Sequence, residues 1–262
     1  MHHDTHPVLP LSDERIIVTG AGSGIGAATA LLAAAKGADV AVADIDRGAA
    51  EAVRDRISES GGRAIAVQVD VTAEADVEAM AARTVEELGG LTGIVNNAGV
   101  IVTRPLTETT VEEWDRCLDI NARGVFLGCK HAVRHFLSRG VKGSIVNTGS
   151  ISALTGQHGQ AAYAASKGAI VQLTRQIAVE HAANGIRCNS VGPGSVHSAV
   201  LDSFLSSQAD PEAAQRSLAS QHPVGRIGEA REVAAANCFL LSREASFITG
   251  SNLQVDGGYT AV

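Results

Sequence analysis

The chain has 262 residues, of which 45% are hydrophobic and 19% charged, and its formal net charge is −7. This balance is typical of a globular protein with a large core, and the acidic charge argues against nucleic acid or an anionic membrane surface as a partner. No apolar run approaches the ~18 residues that a membrane crossing requires, so we expect no membrane partner.

The four cysteines are widely separated and form no C-x-x-C pair. Their spacing argues against a zinc site or a disulfide framework and favours a reducing compartment, which we take to be the cytoplasm. We predict no metal site, because His131 and His135 stand four residues apart on a predicted helix without the Glu or third ligand of a zinc motif. Residues 1–13 are predicted to be a flexible tail, followed by one domain over 14–262.

Short β-branched runs alternate with helical segments along the rest of the chain. Strands are predicted at 15–19, 38–44, 64–69, 93–97, 143–148, 186–191 and 251–255. Helices are predicted at 27–36, at 46–60, at 73–88, over most of 110–139, from near Tyr163 to about 183, and at 229–242. Nearly continuous apolar strands that alternate with helices indicate a parallel sheet covered on both faces. We therefore predict an α/β fold with a single doubly wound Rossmann-type domain and a seven-stranded, mostly parallel sheet.

The turn after the first strand has the sequence TGAGSGIG, residues 19–26. Gly20, Gly24 and Gly26 let the backbone approach a ligand without interference from Cβ atoms. The free N–H groups at the start of the next helix would face a pyrophosphate. Because the turn follows the first strand and opens a helix, it has the setting of a dinucleotide-binding turn.

Asp44 ends the second strand, 18 residues after Gly26. A carboxylate at this point can accept hydrogen bonds from the adenosine ribose hydroxyls and would repel a 2′-phosphate. Neither Ile45 nor Ser23 offers a cation for such a phosphate. We therefore predict NAD rather than NADP as the cofactor.

The stretch YAASK, residues 163–167, places one of two tyrosines four residues before one of four lysines, on one face of a predicted helix. A free phenol is a poor base at neutral pH because its pKa is about 10. We expect the Lys167 ammonium and the positive charge of an oxidised nicotinamide to lower the pKa of Tyr163, against a desolvation that raises it. The phenol could then take a proton from an alcohol.

An ordered set of motifs covers residues 14–260. Its members are TGAGSGIG (19–26), Asp70-Val71, NNAG (96–99), Asn121, Ser150, YAASK (163–167), PG (193–194) and ITGSNLQVDGG (248–258). This set resembles the short-chain dehydrogenases/reductases, whose glycine spacing differs from that of longer two-domain dehydrogenases. One departure is Ser198, where the family usually has threonine, so a hydroxyl is retained without its methyl group.

The resemblance implies a role for each matching residue. The implied catalytic tetrad is Asn121, Ser150, Tyr163 and Lys167. Tyr163 would act as general acid/base, Ser150 would hold the substrate oxygen in preference to nearby Ser152, and Asn121 would position a proton-carrying water. The expected cofactor contacts are Gly20, Ser23, Gly24, Ile25, Gly26, Asp44, Asp70, Val71, Asn97, Ala98, Gly99, Tyr163, Lys167, Pro193, Gly194, Val196 and Ser198.

The segment 195–222 is predicted to be a long loop that acts as a substrate lid. No Lys or Arg occurs between Arg187 and Arg216, so a phosphorylated or coenzyme A-linked substrate would find little charge to bind. An apolar wall is expected from Val200, Leu201, Phe204 and Leu205, and candidate polar contacts are Gln157, His158 and Gln160. These features favour a neutral secondary alcohol or its ketone as substrate.

The sequence thus predicts an NAD(H)-dependent oxidoreductase. Two alternatives remain, a non-catalytic NAD(H)-sensing binding protein and an NADPH-dependent ketoacyl reductase, the second being disfavoured by Asp44. The resemblance also implies a homotetramer assembled through the helices that hold Asn121 and Tyr163. Small residues along AAYAASKGA, 161–169, would permit close helix packing there.

Overall fold

A computed structural model describes residues 9–198, 201, 205–206 and 210–262 of the chain. The strands of this part are β1 (Arg15–Thr19), β2 (Asp39–Asp44), β3 (Ala64–Gln68), β4 (Gly93–Asn96), β5 (Gly143–Thr148), β6 (Ile186–Pro193) and β7 (Asn252–Val255). The α-helices are α1 (Gly24–Ala35), α2 (Arg47–Glu59), α3 (Glu74–Leu88), α4 (Val111–Leu118), α5 (Gly124–Arg139), α6 (Ala161–His181), α7 (Pro211–Ser220) and α8 (Ala230–Leu241).

The strands form one sheet in the order β3-β2-β1-β4-β5-β6-β7, and every neighbouring pair is parallel. The winding direction changes at β1, which pairs with β2 on one side and with β4 on the other. At such a switch point the connections leave in opposite directions and open a crevice at the carboxyl ends of the strands. The predicted doubly wound α/β fold is confirmed.

Two apolar layers cover the sheet, one on each face. Along β1, Ile16 and Val18 contribute to one layer, while Ile17 points into the other. All three are fully buried, which explains why the strands read as continuous apolar runs. Among the described residues, no helix combines the length and apolar composition that a membrane crossing requires.

Among the described residues, the predicted element boundaries agree with the structure to within three residues, but the prediction lacks one helix. The segment expected to be a loop, 195–222, contains α7. Its N-cap is Asp210, whose carboxylate accepts a hydrogen bond of 2.9 Å from the Ala213 N–H, and Pro211 occupies the first turn. Both residues are standard signals of a helix start, so the sequence did contain this information.

A π-helical turn, Asp119–Arg123, joins α4 to α5 within the predicted helical stretch. The extra residue in such a turn changes which side chains face inward. Asn121, at the centre of the turn, is fully buried and points toward the loop after β4.

Candidate active site

A cleft of about 1210 Å³ lies at the carboxyl edge of the sheet. Most of the predicted site residues line it, namely Gly20, Ser23, Gly24, Ile25, Asp44, Asp70, Val71, Asn97, Ala98, Gly99, Ser150, Tyr163, Lys167, Pro193, Gly194, Val196 and Ser198. Two predicted residues, Gly26 and Asn121, are absent from this lining. The structure therefore brings residues 20 to 198 together around a single cleft.

The glycine turn presses closely against the loop after β4. Gly20 has φ +63°, and a Cβ atom there would lie 2.8 Å from Cα of Ala98. A Cβ at Gly26 would lie 2.1 Å from the Gly20 carbonyl oxygen. Gly26 therefore serves packing rather than direct contact with the cleft, and the absence of Cβ atoms is a steric requirement of the turn.

The start of α1 is open toward the cleft. Its N-cap residue, Ser23, makes no side-chain hydrogen bond to the helix backbone. The first backbone N–H groups of α1 therefore lack the usual side-chain partner, and they carry the positive end of the helix dipole. A pyrophosphate would match these donors.

Asp44 extends from the end of β2 toward the glycine turn. Its Oδ2 accepts a hydrogen bond of 2.8 Å from the Gly22 N–H, and its Oδ1 accepts one of 3.0 Å from the Asp46 N–H. The carboxylate is thus held beside the cleft with lone pairs left for further donors. The adjacent Ile45 is 66% exposed and also lines the cleft, where it offers an apolar surface for a ring.

Two further side chains are held by local hydrogen bonds beside this end of the cleft. Asp70 Oδ1 accepts hydrogen bonds of 2.9 and 2.7 Å from the backbone and hydroxyl of Thr72. Asn97 Nδ2 donates to the carbonyls of Thr19 and Gly20, at 3.1 and 3.2 Å. Asn97 thereby ties the glycine turn to the end of β4.

Tyr163 and Lys167 stand one turn apart on α6, and Lys167 Nζ lies 5.5 Å from the centroid of the Tyr163 ring. Lys167 is only 4% exposed and donates a hydrogen bond of 2.8 Å to the Thr148 carbonyl. Burial lowers the pKa of Lys167 to about 8. A single carbonyl partner does not replace the lost water, so the ammonium is less stable here than in solution.

In the ligand-free protein the pKa of Tyr163 is raised, so the effect of Lys167 alone does not produce the expected lowering. Protein atoms around the phenol raise its pKa, although the ring borders the cleft, and a hydrogen bond with Ser150 offsets only part of this effect. The physical reason is that desolvation of the phenolate outweighs the stabilisation that its neighbours provide. Any lowering must therefore come from charge that enters the cleft with a ligand.

Ser150 belongs to a short chain of hydrogen bonds behind the phenol. Its hydroxyl bonds Ser152 Oγ at 3.2 Å, and Ser152 Oγ donates to Gln160 Oε1 at 2.8 Å. Ser150 Oγ also accepts a bond of 3.1 Å from the Ser152 N–H. Ser152, the competitor for the role of Ser150, is thus a neighbour that orients it.

Asn121 holds the loop after β4 instead of reaching the cleft. Its Oδ1 accepts a hydrogen bond of 2.8 Å from the Val100 N–H, and its Nδ2 donates to the Val100 carbonyl at 2.9 Å. Nδ2 also donates to Ser166 Oγ at 3.0 Å. Since Val100 lines the cleft, the amide of Asn121 fixes part of the cleft wall.

On the substrate side, the predicted apolar wall is only partly observed. Leu201 lines the cleft and Leu205 is 9% exposed, whereas Val200 and Phe204 fall outside the described residues. All three predicted polar candidates, Gln157, His158 and Gln160, line the cleft.

Sequence reasoning missed one helix face at the mouth of the cleft. It consists of Glu112, Asp115, Arg116 and Asp119. These residues follow one another at helical spacing along α4 and into the π-helical turn, a periodicity that could have identified a shared face. Leu218 on α7 was also missed, because α7 was expected to be a loop.

Comparisons with known proteins agree with this fold. A family model described as "Enoyl-(Acyl carrier protein) reductase" matches residues 20–260. The chain is 44% identical over 255 residues to a 2,5-dichloro-2,5-cyclohexadiene-1,4-diol dehydrogenase of Sphingobium indicum, covering 96% of this chain and 99% of the relative. It is 43% identical over 253 residues to 2-(S)-hydroxypropyl-CoM dehydrogenase 3 of Xanthobacter autotrophicus, covering 96% and 98%.

Among solved structures, the chain is similar to a short-chain type dehydrogenase/reductase from Mycobacterium marinum. The TM-score is 0.90 at 36% sequence identity, and the match covers 97% of this chain and 98% of the other. The resemblance inferred from the motifs is thereby confirmed. The chain belongs to the short-chain dehydrogenase/reductase family of oxidoreductases.

Proposed function

We propose that this chain is an NAD(H)-dependent dehydrogenase that interconverts a neutral secondary alcohol and its ketone. The observation that carries the proposal is the arrangement of one cleft, with Ser150, Tyr163 and Lys167 on one side and the glycine turn with Asp44 on the other. Both relatives described above are named as dehydrogenases of hydroxyl-bearing compounds, which supports the same reaction class here.

The protein side of the reaction is proton transfer and charge stabilisation. In the oxidative direction Tyr163 takes the hydroxyl proton of the alcohol, and Ser150 bonds the substrate oxygen as its charge changes. Lys167 supplies a nearby positive charge that favours the phenolate. In the reductive direction Tyr163 returns the proton to the same oxygen. When bound, the nicotinamide cofactor supplies the hydride chemistry.

The residues present fit a nicotinamide dinucleotide. The turn at Gly20 and the uncapped start of α1 suit a pyrophosphate, and Asp44 suits the two ribose hydroxyls of NAD. A 2′-phosphate would stand close to the Asp44 carboxylate, which is why we infer NAD rather than NADP. Asp70 and Val71 would flank the adenine, and residues 193–198 would run beside the nicotinamide.

Charge at the mouth of the cleft supports a neutral substrate. The cleft lining there carries Glu112 and Asp115 from α4 and Asp119 from the π-helical turn, together with the cation Arg116, and Arg123 pairs with Asp119 at 2.9 Å. This surplus of carboxylates disfavours an anionic thioester or carrier-bound acyl chain. Leu201 and Leu218 add apolar surface to the lining of the cleft. Cyclic and linear secondary alcohols, including diols, are the class that best matches this lining.

The deciding experiment measures NADH formation from NAD over a panel of cyclohexanol, 1,2-cyclohexanediol, 2,3-butanediol, a hydroxysteroid, a sugar and a 3-hydroxyacyl thioester. We expect turnover of at least one neutral alcohol and a loss of at least about 10³-fold in kcat for Tyr163→Phe, because the proton acceptor is removed. The matched control is Tyr259→Phe, the other tyrosine, which should retain activity.

Other outcomes separate the alternatives. Tight NADH binding without turnover of any panel member would favour the NAD(H)-sensing protein. Thioester reduction with NADPH alone would favour the ketoacyl reductase. Equal activity of wild type and Tyr163→Phe would refute the role of Tyr163. The single domain over 14–262, the lid over 195–222, the homotetramer and the cytoplasmic location remain parts of this proposal.

A further inference from the structure

His222 is a buried histidine just beyond the end of α7, and only 3% of its surface is exposed. Its Nε2 accepts a hydrogen bond of 3.1 Å from the backbone N–H of Ser195. Its Nδ1 lies 2.9 Å from the backbone carbonyl oxygen of Leu218. The ring therefore joins two backbone segments that are far apart in the sequence.

The chemistry of these two backbone partners fixes the form of the ring. An N–H group only donates and a carbonyl oxygen only accepts, so Nε2 must be unprotonated and Nδ1 must carry the proton. His222 is thus a neutral imidazole with both nitrogens satisfied. Neither bond can reverse its direction, and each nitrogen is specific for one partner.

The imidazole ring of His222 fits beside Gly194 because this residue has no side chain. A Cβ atom at Gly194 would lie 2.6 Å from His222 Nε2 and 3.1 Å from Cα of Asp256. The Tyr259 ring packs against the imidazole with a centroid distance of 5.4 Å and an interplanar angle of 55°. Gly194, the glycine of the PG motif, is therefore required for the close approach of His222 to the Ser195 backbone.

Both partners of His222 line the cleft. Ser195 lies in the segment after β6, whose other side is held by Gly228: the Gly228 N–H donates to the Ser195 carbonyl at 2.9 Å, and the His197 N–H donates to the Gly228 carbonyl at 2.9 Å. Leu218 lies in the last turn of α7, on the substrate side. His222 thus links the two walls between which cofactor and substrate would meet.

We propose that His222 is a positioning residue: its Nε2 holds the Ser195 backbone on the cofactor side of the cleft, and its Nδ1 holds the end of α7, with Leu218, on the substrate side. This rests on the proposed function, since it takes the segment after β6 as a cofactor contact. The acceptor at Nε2 holds the Ser195 backbone where the nicotinamide end binds. The donor at Nδ1 holds the end of α7, and with it Leu218, against the substrate. His222 touches neither reactant in this arrangement.

Two substitutions of His222 test the roles of its two ring nitrogens separately. In His222→Gln, the amide group reaches the position of Nε2 and can accept from Ser195, while the donor to Leu218 is lost. In His222→Asn, the amide reaches the position of Nδ1 and can donate to Leu218, while the acceptor for Ser195 is lost. His222→Asn leaves the Ser195 N–H without its acceptor, which typically costs enough for about a tenfold change in affinity. His222→Gln leaves the Leu218 carbonyl with only the 3.3 Å bond from the Gln221 N–H, so the expected cost is smaller.

We expect a crossed pattern in binding and kinetics. His222→Asn should raise the Kd for NADH, measured by fluorescence titration, about tenfold and leave the alcohol KM within about threefold. His222→Gln should keep NADH binding within about threefold and raise the KM for the most active panel alcohol about fivefold, because the Leu218 carbonyl retains its bond from the Gln221 N–H. In both variants kcat should change less than the affected constant, because Tyr163, Ser150 and Lys167 are untouched.

The matched control is His131→Asn, which removes another buried histidine. His131 lies on α5, is 6% exposed, and its Nε2 lies 3.3 Å from a carboxylate oxygen of Glu74 on α3. This variant should lower the melting temperature without changing either constant. If His222→Asn and His222→Gln change both constants alike, or change neither, the two-sided role is refuted. Should either variant fail to fold, hydrogen–deuterium exchange of the wild type decides: peptides covering 193–198 and 211–222 should gain protection together on NADH binding, and independent behaviour would refute the link.

Failure of the proposed function gives a different result. A wild-type chain that binds no dinucleotide removes the proposed function, and the role of His222 with it. A wild-type enzyme that oxidises alcohols while the crossed pattern is absent removes only the role of His222.

Discussion

At the scale of single residues, the site depends on how burial and charge act on Tyr163 and Lys167. Burial raises the pKa of Tyr163 and lowers that of Lys167 to about 8. Both shifts disfavour the charged pair that alcohol oxidation needs. In the ligand-free protein the phenol of Tyr163 is therefore protonated at neutral pH. A positive nicotinamide ring beside it would favour ionisation of the phenol.

The ionisation of Tyr163 can be measured directly because the chain has only two tyrosines. We expect Tyr163 to ionise above the ordinary phenol pKa of about 10 in the ligand-free protein, and at a lower pH when NAD is bound. The measurement is phenolate absorbance against pH, with Tyr163→Phe as the reference. Alcohol oxidation should accordingly rise with pH across the alkaline range, and ketone reduction should fall. A ligand-free Tyr163 pKa below about 9 would contradict the dominance of desolvation.

We also expect a single residue, Asp44, to decide the choice between NAD and NADP. Asp44→Asn removes the negative charge but keeps an oxygen that can accept from the Gly22 N–H, now at 2.8 Å. We expect the preference for NAD over NADP to narrow at least about tenfold, because the repulsion of a 2′-phosphate is lost. Asp44→Ala should narrow it as well, with an additional loss of affinity for both dinucleotides. The readout is kcat/KM for each cofactor, and an unchanged ratio would exclude Asp44 as the determinant.

At the scale of elements, the π-helical turn between α4 and α5 shapes the cleft wall through Asn121. Its amide bonds both the N–H and the carbonyl of Val100. Substitution by alanine leaves both backbone groups without a buried partner, each at a cost of about 1–3 kcal/mol. The wall beside Gly99 and Val100 would then lose its support.

We therefore expect Asn121→Ala to lower the melting temperature by on the order of 5–10 °C and to weaken NADH binding. Asn121→Asp, which keeps the acceptor for the Val100 N–H but loses both donors, should be intermediate in stability. Thermal unfolding with and without NADH measures both effects. Wild-type stability in Asn121→Ala would show that the amide does not support the wall, and the water-positioning role implied by the family would become its main function.

At the scale of the whole molecule, one face of α6 bears small residues and is open to solvent. Ala165 and Ala169 are exposed, and a Cβ at Gly168 would meet no atom within 4 Å. Val179 continues this face and is 83% exposed. Small residues three and four positions apart allow a second helix to approach closely, as the proposed homotetramer requires.

Ala169→Arg should therefore dissociate the assembly, because a long charged side chain prevents close helix packing. Light scattering coupled to size-exclusion chromatography would give the mass of each species. The control is Ala52→Arg, at an exposed position of α2, which should leave the mass unchanged. A monomeric wild type, or an Ala169→Arg variant of unaltered mass, would contradict assembly through this face.

The sequence by itself determined the fold class, the element order and most of the cleft residues. It could do so because parallel strands buried on both faces leave continuous apolar runs, and because the glycine turn and YAASK, residues 163–167, require particular side chains at fixed local spacing. The start of α7 was also encoded locally, in Asp210 and Pro211, although the prediction overlooked it.

Only the tertiary structure decided which neighbours act on those residues. The raised pKa of Tyr163 depends on how many protein atoms surround it, and the pairing of Asn121 with Val100 depends on a turn that packs against a distant loop. The link from His222 to Ser195 crosses 27 residues. Desolvation and long-range hydrogen bonds depend on what folding brings into contact, and no local spacing in the sequence contains that information.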